Sequence, residues 1–133
     1  MKYTKVKYKY QLLESFTKKL NYPFPDVESD FFTIKDNIIY IKKFYSWDGA
    51  SGPTIDSKTS MIAGLVHDCL YQSINTNLMD PSYKATADKE FLSILLENHM
   101  NKFRAYSWYF FLGLFGKVYS KLKNKKVSKI LEL

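Results

Sequence analysis

Three short segments carry side chains able to do chemistry: Trp47-Asp48-Gly49-Ala50-Ser51-Gly52-Pro53, His67-Asp68-Cys69-Leu70-Tyr71 and Ala87-Asp88-Lys89-Glu90-Phe91. On a helix, residues i and i+4 lie on one face, so His67 and Tyr71 stack there with Asp68 beside them. A second helix packed antiparallel would bring Asp88 to the same patch. A histidine with a carboxylate behind it is a general base, because the carboxylate fixes the tautomer and stabilises the imidazolium as the proton arrives. A further carboxylate, Asp68, beside a glycine-containing loop could hold a hard cation together with backbone carbonyls. The competing reading of His67 is structural. Its ring would bond Asp88 and the loop and lock two helices together, since buried polar groups are as a rule hydrogen-bonded.

The remaining polar residues are read more plainly. Asp48 and Ser51 are of types that commonly shape loops and cap helices. Cys69 falls on the apolar face of its helix and reads as an inert core thiol. His99 reads as a surface histidine. No histidine precedes His67, which excludes the metal phosphohydrolases built on a His-Asp pair with a further upstream histidine. Two histidines and one cysteine make a structural zinc site improbable.

The chain of 133 residues is 46% hydrophobic, 25% charged and 17% aromatic, a composition that fits one globular domain. A single cysteine excludes an internal disulfide framework. No apolar stretch of signal-peptide length opens the sequence, and no run of ~18 apolar residues suggests a membrane span. These features predict a soluble, intracellular or virion-borne domain. The net charge of +7 sits at the two ends: residues 1–19 and 117–133 each hold six Lys and one Glu, whereas residues 20–116 sum to −3. Such ends suit nucleic acid, anionic lipid or an acidic protein, or form a solvated lysine face. Arg104 is the only arginine, which argues against specific DNA readout by bidentate contacts.

These segments need elements to position them. Residues 4–12 alternate, with Val6, Tyr8, Tyr10 and Leu12 on one face and Lys5, Lys7, Lys9 and Gln11 on the other, which predicts a half-buried edge strand. Pro23, Pro25 and scattered acids predict a loop over 21–30. Two short apolar runs flank Asp36-Asn37, a two-residue hairpin signal. Residues 46–57 read as a Gly/Pro loop. From Lys58 the period becomes helical, with Ile62, Leu65, Val66, Cys69 and Leu70 on one side and Gly64, His67, Asp68 and Tyr71 on the other. A second helix is expected over about 82–100, with Ala87, Phe91, Ile94 and Leu95 as its apolar stripe, and a third over about 102–123. The order predicts a single α+β domain. It comprises a small antiparallel sheet of two or three strands within 1–45, the loop 46–57, three helices within 58–124 and a basic tail over 125–133.

The succession Gly49-Ala50-Ser51, His67-Asp68-Cys69-Leu70-Tyr71 and Ala87-Asp88 with Phe91 resembles a family of phage and bacterial proteins of unknown function, over roughly residues 30–120. It also resembles the active site of phospholipase A2, including the disulfide-free lipase domain of parvovirus capsid proteins. That resemblance implies His67 as the base that activates the attacking water, Asp88 as the carboxylate that orients it, and Tyr71 as the buttress of Asp88. It implies a calcium ion (Ca2+) held by Asp68 and by backbone carbonyls near Trp47, Gly49 and Ser51. This sequence departs from the pattern in its loop, where Asp48 and Gly52 flank Ala-Ser rather than a run of glycines. Asp48 and Ser51 bring side chains that a pure carbonyl loop does not need.

The third helix is richer in aromatics than one buried stripe requires, and lysines follow it. Trp108, Phe111, Phe115, Lys117 and Lys121 are therefore candidates to meet a membrane or a partner. The alternative is a helix sandwiched in the core or in a subunit interface. Two functions are carried forward. One is calcium-dependent hydrolysis of membrane phospholipid by a phage-type protein. The other is a non-catalytic virion or accessory protein that binds phage structural proteins through its basic ends and aromatic helix. Neither needs specific nucleic-acid recognition.

Overall fold

The computed structural model describes residues 1–6, 9–47 and 58–113. Among the described residues seven short strands come first: β1 (Tyr3–Val6), β2 (Lys9–Leu12), β3 (Phe16–Lys19), β4 (Val27–Glu28), β5 (Phe32–Lys35), β6 (Ile38–Ile41) and β7 (Ser46–Trp47). Helix α1 (Lys58–Asn75) follows, then a 3₁₀ turn (Pro81–Tyr83) and α2 (Lys84–Glu97). A further helix, α3, occupies residues 102–113. The α+β class with antiparallel strands preceding three helices is therefore the architecture of this chain.

The strands form two sheets, one ordered β1-β2-β7 and one ordered β3-β6-β5-β4, rather than the single sheet of two or three strands expected. The expected strand over 4–12 is in fact a hairpin, with Tyr3 opposite Leu12 and Val6 opposite Lys9. Period-2 alternation runs unchanged through a two-residue connection, so it cannot mark where a chain reverses. Strands β4 and β7, of two residues each, lie in segments expected to be loops, because such pieces are too short to show a period. β7 exists only through a partner distant in sequence, β2, whereas β4 pairs with the neighbouring β5.

Asp36 and Asn37 join β5 to β6, and both take positive φ (51° and 61°), as a two-residue hairpin turn requires. Asn37 also reaches across to the β3–β4 connection. Its side-chain amide donates to the carbonyls of Leu20 and Tyr22, and its Oδ1 accepts from the Phe24 N–H. The inward faces of β5 and β6 supply Phe32, Ile34, Ile39 and Ile41 to one core with residues of all three helices.

Helix α1 lies at the centre of that core. Between Ser60 and Leu70 only Ile62 and Asp68 escape full burial, so the polar face expected through Gly64, His67 and Tyr71 is covered rather than solvated. Helix α2 starts and ends inside the expected 82–100 span and closes with a left-handed residue, His99 (φ 64°). The His99 N–H meets the Leu96 carbonyl and the Met100 N–H meets that of Leu95, the double bond of a Schellman cap. His99 is exposed and serves the helix end. The loop at 48–57, the latter part of the expected third helix and the basic tail lie outside the described residues.

Candidate functional site

Asp88 joins α1 to α2. Its Oδ1 lies 2.8 Å from His67 Nε2 and accepts the Tyr71 hydroxyl at 2.5 Å. A carboxylate on Nε2 holds the proton there, which leaves the lone pair of a neutral ring on Nδ1. Stacking fixes the plane of that ring. Tyr71 lies against it with centroids 4.0 Å apart, as i+4 spacing on α1 dictates, and Phe91 of α2 meets it edge-on at 5.3 Å. His67 is 5% exposed and Asp88 6%.

The Tyr71 hydroxyl holds its proton far above the usual tyrosine range. Burial is the larger cause, and the hydrogen bond and negative charge of Asp88 add to it. Its neutral form thus belongs to the fold, whereas in the unfolded chain the hydroxyl ionises from its ordinary value of 10.0 upward. The stabilisation from this group is complete below that value and is lost as pH rises past it. Urea unfolding midpoints taken between about pH 8 and about pH 11 should fall more steeply for the wild type than for Tyr71→Phe. Parallel profiles would show that Tyr71 does not carry the effect.

Asp68, one residue after His67, is only half-buried, and its charge helps to hold the Cys69 thiol protonated. Burial is the largest cause there, a hydrogen bond with Tyr45 works against it, and Cys69 is fully buried, the position expected of a core thiol. Among the described residues no three His, Cys, Asp or Glu side chains cluster as a metal site would need. A cation beside Asp68 would have to draw its other ligands from carbonyls. Of those expected, Gly49 and Ser51 lie outside the described residues, as do Asp48 and Gly52. Trp47 ends β7, and its ring is buried in a nest with Tyr3 and Tyr10, at centroid distances of 6.0 and 5.8 Å.

The expectation for Trp108 is overturned. It is 2% exposed and stacks on Phe91 at 6.0 Å, so it is a core residue and not a contact for a membrane or partner. Helical phase explains this: Ala105, Trp108 and Leu112 share the face of α3 turned to the protein. Phe111 is at the margin of exposure, beside Phe110. Phe115, Lys117 and Lys121 lie outside the described residues.

Two residues of the third segment take roles that the sequence did not assign. Phe91 looked like one more core aromatic, yet it links the His67 ring to Trp108. Glu90 is wholly buried, and its Oε1 accepts the backbone N–H groups of Asn21 at 2.6 Å and Tyr22 at 3.0 Å. Its partners are 69 and 68 residues away, so no local pattern announces it. No protein-family profile, curated protein or solved structure matches this chain, so the geometry itself is the basis for any reading of its function.

Proposed function

We propose that His67 and Asp88 form the general-base pair of a phospholipase A2-like hydrolase acting on lipid esters at a membrane. The observation that carries this reading is the use of Nε2, rather than Nδ1, for the bond to Asp88. Nδ1 is then the basic nitrogen, able to take a proton from a water that attacks an ester carbonyl. Asp88 offsets the charge that forms on the ring, and the Tyr71 proton keeps that carboxylate in place. Bound calcium would polarise the ester carbonyl, with Asp68 as its carboxylate ligand and the carbonyls of Trp47, Gly49 and Ser51 beside it.

The test is release of fatty acid from mixed anionic and zwitterionic vesicles, with calcium or with chelator, for wild type and His67→Ala. Calcium-dependent turnover that falls by about 10²–10⁴ in the variant supports the reading. No turnover from a folded protein that binds no calcium would sink it.

A second reading is favoured by the near-complete burial of the pair. In it the cluster is a clasp between α1 and α2 in a non-catalytic virion or accessory protein, which meets phage structural proteins through other surfaces. A folded, inactive wild type would select it.

A further inference from the structure

Helix α3 presents two opposite faces. Ala105, Trp108 and Leu112 are buried, whereas Phe103 is 83% exposed, Tyr106 54% and Phe110 66%. The latter three stand at i, i+3 and i+7 and so lie in one row along two turns, spanning about 10 Å at 1.5 Å per residue. Exposed aromatics are ordinary when scattered and informative when aligned on one face. Lys102 and Arg104 are exposed on the same turn as Phe103. Sequence extends the charge argument, since between Asn98 and Leu131 there are eight Lys or Arg and no Asp or Glu.

We infer that the Phe103–Tyr106–Phe110 face of α3 docks on an anionic lipid bilayer. Aromatic rings with basic neighbours suit the headgroup boundary: the rings enter the apolar edge, and the cationic ends remain with the phosphates. Helix α3 needs no rearrangement to do this, because its other face is already held by Trp108 against Phe91. The Asn101 side chain accepts the Phe103 N–H at 2.9 Å and fixes the start of the helix. Trp108, Phe91 and His67 form a chain of touching rings, so the docking face stands on the element that packs behind the candidate base. The inference does not rest on the hydrolase reading.

The experiment is co-sedimentation with vesicles of phosphatidylcholine alone or of phosphatidylcholine with phosphatidylglycerol, in chelator and at low and high salt. The protein is wild type or the variant Phe103→Ser/Tyr106→Ser/Phe110→Ser, with circular dichroism as the check of folding. All three side chains point away from the core, so the variant should fold. Binding to the anionic vesicles that weakens with salt, and drops by about tenfold or more in the variant, is the expected result. The proposal is overturned if the folded wild type does not sediment with anionic vesicles, or if the variant binds as well as wild type. It is also overturned if the variant instead abolishes a concentration-dependent dimer or retention on a single-stranded oligonucleotide, since a second copy or a nucleic acid would then be the occupant. Because no turnover is read, failure of the hydrolase reading and failure of this one are separable.

Discussion

Asp88→Ala should destabilise the fold by about 2–5 kcal/mol and remove whatever turnover the protein has. The substitution leaves two buried donors without an acceptor, the His67 Nε2–H and the Tyr71 hydroxyl, and each such orphan costs about 1–3 kcal/mol. It also frees the imidazole to change tautomer and plane, because Asp88 is what holds the proton on Nε2. Asp88→Asn separates the two consequences. Its amide oxygen can still accept from both donors, so stability should fall by no more than about 1–2 kcal/mol, the loss of charge assistance. Without its charge the amide cannot offset an imidazolium, and kcat should fall by about 10²–10⁴ with KM little changed. Chemical unfolding and vesicle hydrolysis on the same three proteins give the answer. An Asn variant that is nearly as stable as wild type and equally active would remove Asp88 from the role of orienting carboxylate.

The second large effect is expected at Glu90, in the same helix but with a different task. Glu90→Ala should cost about 3–5 kcal/mol, since it strips the acceptor from the N–H groups of Asn21 and Tyr22 and empties a fully buried position. Glu90→Gln should recover most of this. Its Oε1 can accept the same two N–H groups, and its amide can donate to the Ser93 hydroxyl, which now lies 3.1 Å from Oε2. The connection from β3 to β4 is held from both sides, by Glu90 on α2 and by Asn37 on the β5–β6 turn. Its loosening should therefore propagate to the sheet. Urea midpoints measure this directly. Equal loss in the Ala and Gln variants would mean that the site needs the charge rather than the acceptor geometry. A loss below about 1 kcal/mol for Ala would mean that water replaces the carboxylate.

What could be read without the fold is the part governed by spacing along one element. The i, i+4 relation put His67 and Tyr71 together, and the helical phase put Cys69 in the core. The Asp36-Asn37 pair marked a hairpin because few residue types accept positive φ at two successive positions. Asp88 was placed against His67 only by assuming an antiparallel second helix, with the resemblance to phospholipase A2 assigning its role. Local rules misled where they are ambiguous. Alternation over 4–12 could not reveal a reversal between Val6 and Lys9, and strands of two residues have no period at all.

The sequence by itself determined the α+β order, the meeting of His67 and Tyr71 on one helix face, and the placing of the net positive charge at the two ends. Tertiary structure decided which polar groups are buried and which aromatics are not. Trp108 turned inward and Phe103, Tyr106 and Phe110 outward because the phase of α3 against Phe91 is set by packing, and every face of that helix is aromatic in sequence. Glu90 became a buried acceptor because two backbone N–H groups almost seventy residues away converge on it. Hydrogen bonds and contacts of that kind depend on distances in space, which spacing along the chain does not encode.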